Sequence, residues 1–220
     1  RTKLASFLRF YTTTSPTEWR TLEDYIADMT DDQPGIYYIT GESKTLVQNS
    51  PFIERLTKKG YEVIFMTEAI DEYVVQQLKE YNGKKLLCST KEGLDLKDTP
   101  AEKEKQTETI ETYKETCEHI KQTLQNKVTK VVLSTRLETS PCCLVTGDYG
   151  YSANMQRIVK AQALAQNKNS QFMFGQKTME INPNHRLIKE IHHLVQSNSP
   201  EKSNQIILAL YDISAISSGF

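Results

Sequence analysis

A chain of 220 residues with 38% hydrophobic and 25% charged content is long enough for one large or two small domains with real cores, and its composition is that of a soluble globular protein. Its 27 Lys and Arg against 28 Asp and Glu leave a formal net charge of -1, without the basic excess that phosphate binding demands, so nucleic acid is excluded as a main partner. No apolar run reaches the roughly 18 to 20 residues of a membrane helix, and the opening "RTKLASFLRFYTTT" has no signal-peptide core, so no membrane association is expected.

The first residue is not Met, and Leu4, Phe7 and Leu8 recur at helical spacing, so the chain is expected to begin inside a helix of a longer protein. "TLEDYIADM" predicts a further helix with Leu22, Ile26 and Met29 inward. From residue 36 to 90 the pattern alternates. "IYYIT", "YEVIFMT" and "KKLLCST" predict strands; between them lie "SPFIERLTKKG", a helix with Pro51 near its start and Gly60 as its stop, and "DEYVVQQLKEYNG", a helix closed by Gly83. Right-handed crossovers make this βαβαβ unit a small parallel sheet covered by helices.

"KDTPAEKEKQTETIETYKETCEHIKQTLQNK" begins as a charged linker or helix extension. Further on, Ile110, Tyr113, Cys117, Ile120 and Leu124 form a 3-4-3-4 seam. The domain boundary falls near residues 97 to 105. Residues 1–98 then make one domain and 99–220 a second, with 99–109 as charged helical linker. In the second, "VTKVVLSTRL" and "CCLVTGDYG" predict strands joined by "ETSP", "GYSANMQRIVK" a helix, and "TMEIN" a third strand. Asn182 is expected to cap a helix with Pro183 at its first position and Leu187, Ile188, Ile191, Leu194 and Val195 inward. The fold class is α/β, α+β overall: a small parallel βαβαβ sheet, then a small mixed sheet with helices.

The last helix, 203 to 218, is apolar nearly all round, through Ile206, Ile207, Leu208, Leu210, Tyr211, Ile213 and Ile216. It must be buried on more than one side and is too short to span a bilayer. A second helix, from downstream chain or another subunit, would complete its burial.

Enzyme-like signals are sparse. "YYITGESK" runs a strand into Gly41, with Ser43 as helix cap and Lys44 nearby, which is where an open parallel sheet binds phosphate. The match is one glycine, and Glu42 would repel an anion, so an ordinary turn is the favoured reading. There is no G-x-S-x-G and no H-E-x-x-H. Asp71 and Glu72 open a helix, where they stabilise its positive end. Cys88, Cys117, Cys142 and Cys143 make no disulfide framework, because the adjacent pair could close only a strained ring; a reducing compartment is expected. Metal binding is not expected: Cys117 and His119 diverge on a helix, and His185 and His192 stand two turns apart. Adjacent on a strand, Cys142 and Cys143 point to opposite faces, one to the core and the other as a candidate oxidisable thiol.

In "GYSANMQRIVK" Tyr151, Met155, Ile158 and Val159 share a stripe opposite Arg157 and Lys160, with Leu164 available as anchor. Such a stripe taken alone is usually core. A methionine beside an aromatic is also what adaptable binding surfaces use.

Taken together, "IYYITGES", "SPFIERLTKKGYEVIFMTEAIDEY", "SPCCLVTGDYGYSANMQRIVKAQAL", "INPNH" and "LALYDISAISSGF" resemble the heat shock protein 90 chaperone family, in order, over essentially all 220 residues. The resemblance implies the later part of a middle domain followed by a C-terminal dimerisation domain. It implies an ATP-driven, homodimeric, cytoplasmic chaperone whose partners are client proteins and co-chaperones. The nucleotide domain and its arginine loop would lie upstream, so these residues are not expected to hydrolyse ATP or hold a cofactor; ATP and Mg belong to the full-length parent. The second helix of the dimer bundle and an acidic co-chaperone tail would lie downstream. By motif, client contacts fall on Glu72, Tyr73, Gln76, Tyr151, Met155, Ile158 and Val159, with Tyr151 standing where many eukaryotic relatives have tryptophan. Dimerisation contacts fall on Ile206, Ile207, Leu210, Tyr211, Ile213 and Ile216. The alternatives are a phosphate- or nucleotide-binding module at Gly41 to Lys44 and a purely structural dimerisation module.

Overall fold

The computed structural model describes residues 2–94, 96–162, 177–197 and 199–220. Its first half runs α1 (Thr2–Ala5), β1 (Tyr11–Thr12), α2 (Leu22–Ala27), β2 (Gly35–Thr40), α3 (Lys44–Gln48), α4 (Glu54–Lys58), β3 (Val63–Met66), α5 (Asp71–Gln77), β4 (Glu80–Tyr81) and β5 (Lys84–Cys88). Every residue of β2 is buried, as a central strand covered on both faces requires. Its side chains alternate between two cores, Tyr37 and Ile39 in one and Ile36 and Tyr38 in the other. β3 and β5 flank it in parallel, so the βαβαβ core of the sequence reading is present.

The edges depart from that reading. β1 pairs antiparallel with β3, and β4 with β5, giving a mixed sheet of order β1-β3-β2-β5-β4. The helix expected to close at Gly83 ends at Gln77. Asn82 and Gly83 take positive φ, 47° and 74°, and turn the β4–β5 hairpin; Asn-Gly is the dipeptide such two-residue turns select. Gly60, with φ 78°, does stop α4, though that segment opens as a 3₁₀ turn at Pro51–Ile53. The opening helix is only one turn. Leu4 and Phe7 are exposed while Leu8 packs against the core, so its three apolar positions do not form one buried stripe.

The second half comprises α6 (Pro100–Leu124), β6 (Lys130–Leu133), β7 (Cys142–Thr146), α7 (Ala153–Ala161), β8 (Lys177–Ile181), α8 (Arg186–Gln196) and α9 (Pro200–Ser217). The charged run at 99–109 is part of α6, which starts from a capping box between Thr99 and Glu102. Of its seam, Tyr113, Ile120 and Leu124 are buried, Cys117 is half-buried and Ile110 is exposed. β6 and β7, successive in sequence, do not pair. β8 lies between them, parallel to β6 and antiparallel to β7. α8 is capped by His185, whose Nδ1 accepts from the Leu187 N–H at 3.2 Å. Asn182 and Pro183 lie ahead of the helix rather than at its cap and first position as expected: α8 starts only at Arg186, and Asn182 Oδ1 instead accepts from the Asn184 N–H at 3.0 Å while its amide donates to the Glu138 and Ser140 carbonyls, both at 3.1 Å.

One face of the second sheet, with Cys142, Leu144, Met179 and Ile181, packs under α6, α8 and α9. The other face contributes Cys143 and Val145 to the same cluster as Tyr37, Ile39, Phe52 and Leu56. Both cysteines are therefore buried, at 3% and 0% exposure, which corrects the expectation of one accessible thiol: β7 has a core on each side. Burial pushes the Cys142 thiol up to about 11 and raises the Cys143 thiol well above its ordinary value.

Polar contacts lock the two sheets together. Arg136, 1% exposed, donates to the Glu180 carboxylate from Nε and from a terminal guanidinium nitrogen, each at 2.8 Å, and to the Ser89 and Lys91 carbonyls at the end of β5. The Glu54 carboxylate of α4 accepts from the backbone N–H groups of Glu138, Thr139 and Ser140 at 2.7 to 3.2 Å. Burial alone would raise its pKa, but these bonds and the Ser140 hydroxyl outweigh burial and hold it below the usual value.

Candidate functional site

The first turn of α5 and the first turn of α7 meet, although they are 80 residues apart in sequence. Asp71 Oδ2 accepts from the Glu68 N–H at 3.0 Å and fixes the start of α5; burial raises its carboxyl pKa. Ser152 caps α7 by accepting from the Met155 N–H at 3.0 Å. The same Ser152 hydroxyl donates to Glu72 Oε1 at 2.6 Å, and Asn154 Nδ2 donates to that oxygen at 3.2 Å. Glu72, 5% exposed, thus binds the capping residue of the facing helix as well as stabilising its own helix end. Gln76 Nε2 lies 4.0 Å from Met155 Sδ, and Gln162 Nε2 donates to the Tyr73 hydroxyl at 3.1 Å.

The structure therefore brings Glu72, Tyr73 and Gln76 against α7, but it does not leave the apolar stripe open. Met155 and Val159 are buried, at 5% and 7% exposure, Tyr151 and Ile158 are half-buried, and Gln76 is exposed. The expectation of a freely offered stripe is corrected at Met155, which lies against Gln76 of α5, and at Val159, which is buried as well. Leu164, the expected anchor, lies outside the described residues.

An apolar surface missed by sequence reading adjoins this cleft. Leu4, Ala5, Leu8, Ile70, Tyr73 and Leu78 line a groove between α1 and α5, and Leu4 and Ile70 are 74% and 64% exposed. Ile70 was the available signal: an apolar residue immediately before an acidic first turn, outside the inward face of α5. Tyr73 belongs to both surfaces. Such a site can grip an apolar chain with amide groups at its rim.

The Gly41 to Lys44 turn does not fit a nucleotide. A Cβ on Gly41 would lie 2.3 Å from Val47 Cγ1, so glycine is there to let α3 pack. Lys44 Nζ stands 4.6 Å from the Tyr11 ring centre and donates to the Pro16 carbonyl, while Glu42 pairs with Arg157 at 3.4 Å. Lys44 is thus engaged rather than turned to a phosphate, and α3 has only five residues. Among the described residues no three His, Cys, Asp or Glu side chains are placed to hold a metal ion. His119 and His192 bond to Ser203 and Thr116, at 3.0 and 2.7 Å.

α9 divides its apolar residues between two surroundings. Ile207, Leu210 and Tyr211 are buried in their own core and Ile206 packs against it. Ile213 and Ile216 are 60% and 79% exposed, with Leu208 at 39%. The outer face is therefore narrower than the all-round pattern implied. No helix of the described residues is long and apolar enough to cross a membrane.

Residues 1–220 match the Hsp90 protein family. The chain is 44% identical over 219 residues to heat shock protein 83 of Leishmania donovani, covering 99% of this chain and 48% of that protein. It is 45% identical over 197 residues to the putative heat shock protein HSP 90-beta-3 of Homo sapiens, covering 89% and 33%. With heat shock protein 90-5, chloroplastic, of Arabidopsis thaliana it shares 40% over 220 residues, covering 99% and 28%. The chain spans less than half the length of each.

Proposed function

The chain belongs to the Hsp90 family, and from that premise we propose that it is a client-binding and dimerising part of a molecular chaperone. The observation that carries the reading is Tyr73, half-buried between the α7 contact of Gln162 and the exposed apolar groove of Leu4 and Ile70. A non-native chain presents apolar side chains together with unpaired backbone. A groove with apolar walls and Gln77 among its lining residues matches both.

ATP hydrolysis, Mg binding and co-chaperone recruitment are assigned to the whole protein on family grounds, with no catalytic role for these 220 residues. A cytoplasmic setting is proposed from four free cysteines; family membership does not select it, since relatives include proteins named chloroplastic and mitochondrial. Homodimerisation is proposed through the outer face of α9, where Ile213 and Ile216 are exposed.

The test is titration of the chain into a fluorescently labelled, destabilised reporter protein. Tyr73→Ala and Ile70→Glu are each expected to weaken binding about tenfold, while Ile70→Glu leaves folding stability within about 0.5 kcal/mol, the range for an exposed site. Unchanged affinity in both variants would remove the α1–α5 groove from the proposed site. Failure of the parent chain to bind any non-native reporter would favour a purely structural dimerisation module.

A further inference from the structure

The second sheet is closed on one side and open on the other. Beyond β7 the chain leaving β5 continues the sheet: Lys91 bridges to Thr146, the Glu92 N–H donates to the Thr146 carbonyl at 2.9 Å, and the Thr146 N–H donates to the Thr90 carbonyl at 3.3 Å. At the opposite edge β6 pairs with β8 alone. No strand among the described residues lies on its outer side.

The direction of the free groups follows from the register. Lys130 to Leu133 stand level with Thr178 to Ile181, and the Ser134 N–H donates to the Ile181 carbonyl at 2.8 Å. In a parallel ladder alternate residues bond to the same neighbour. Lys130, Val132 and Ser134 therefore turn their backbone groups to β8, and Val131 and Leu133 turn theirs outward.

This edge does not face open solvent directly. It forms one wall of a groove whose other wall is a face of α6 carrying Ile110, Lys114, Cys117 and Lys121. Ile110 is 52% exposed although apolar, and it belongs to the α6 seam that the packing of this domain leaves uncovered. The rim is cationic: Lys114, Lys121 and Lys130 stand against Glu118. Lys130 pairs with Glu92 at 2.7 Å and Lys121 donates to the Gln125 and Val128 carbonyls, while Lys114 has no ion pair among the described residues.

We propose that the groove between β6 and α6 takes an extended segment of a partner protein as a fourth strand, apolar at alternate residues and acidic at its flanks. Outward N–H and C=O groups on Val131 and Leu133 specify an extended backbone, since only a strand meets them in series. Ile110 and Cys117 specify apolar side chains on the face toward α6, and the lysine rim specifies the acidic flanks. The bland reading of Lys130 is a charge that guards an open edge against pairing. The apolar wall facing that edge is what a guarded edge would not need. The surface is separate from the α5–α7 cleft and does not depend on its role.

The probe is a short acetylated peptide alternating valine and threonine between glutamate ends, with a second version N-methylated at alternate residues so that one backbone edge cannot donate. Hydrogen exchange resolved by residue and fluorescence anisotropy are read together on the whole chain. The unmethylated peptide is expected to bind saturably, to slow exchange of the Val131 and Leu133 amides at least tenfold, and to lose affinity several-fold on raising salt. N-methylation, or Ile110→Glu in the protein, is expected to weaken binding at least tenfold. Because Ile110 is exposed, that variant keeps its fold, checked by an unchanged melting temperature. No saturable binding at millimolar peptide, binding without protection of those two amides, or binding indifferent to N-methylation would each overturn the proposal, the first in favour of the guarded edge.

Discussion

α7 and α9 each carry an apolar face that the sequence alone leaves open to burial or to a partner, and the fold treats them in opposite ways. On α7 the stripe is closed by the chain itself: Met155 and Val159 are buried, Gln76 of α5 lies against Met155, and Glu72 holds Ser152 and Asn154 in place. On α9 one side sinks into its own core through Ile207 and Leu210, and the other leaves Ile213 and Ile216 in solvent. Fully burying a side chain of this size is worth about 1.5 to 3 kcal/mol. The difference teaches that an apolar stripe becomes an interface only where no other part of the chain reaches it, and that a polar contact can decide which helix is reached.

The largest expected effect tests the clamp that keeps the two sheets, and hence α5 and α7, in register. Glu180→Ala leaves the Arg136 guanidinium buried without its carboxylate and is expected to cost about 3 to 5 kcal/mol in urea melts. A loss near zero would mean that the sheets are held by the shared apolar cluster alone. Next comes the covered stripe. Met155→Ala is expected to cost about 2 to 5 kcal/mol, as a buried large-to-small change does, and a surface-like loss below about 0.5 kcal/mol would show α5 to be a loose cover.

The core beneath α9 carries a pH signature. Cys142, whose Sγ lies 2.7 Å from the Ser214 hydroxyl, has its thiol pushed up to about 11 by burial, against an ordinary value of 9.0. Between pH 9 and pH 11 the unfolded chain gives up this proton while the folded one keeps it, so stability falls as pH rises through that window, by about 1.4 kcal/mol per unit. Denaturant melts of the parent and Cys142→Ala between pH 8 and pH 11 measure it; the variant is expected to lose less across the window, and parallel curves would contradict the burial of this thiol. The smallest effect on folding belongs to the open face. Ile216→Ser is expected to change chain stability by less than about 0.5 kcal/mol yet weaken self-association in sedimentation. A large folding loss without change in association would place Ile216 in a core and remove the contrast with α7.

Much of the fold was legible because local pattern is enough for it. The apolar runs at 36–40, 61–67 and 131–133 and the Gly60 stop each depend on residues within a few positions. Gly83 was misassigned although its signal was local: Asn82 before it marks a hairpin, and the preceding helical periodicity hid it. Asn182 is not the cap for a different reason: its oxygen closes a turn on the Asn184 N–H, its amide is held by the Glu138 and Ser140 carbonyls more than 40 residues away, and the helix starts only after His185.

By itself the sequence determined the kind of protein, through motif blocks that extend along its length, and it determined which face of each element is apolar. Only the tertiary structure decided what covers each face. Strand alternation sends Cys142 and Cys143 to opposite sides, but whether one side is solvent depends on a second core arriving there. Helical spacing places Met155 on a stripe, but its exposure depends on Glu72, 80 residues from Ser152. Propensity and periodicity are short-range properties of the chain, whereas burial is a property of pairs of surfaces, and those pairs are set only when the chain closes on itself.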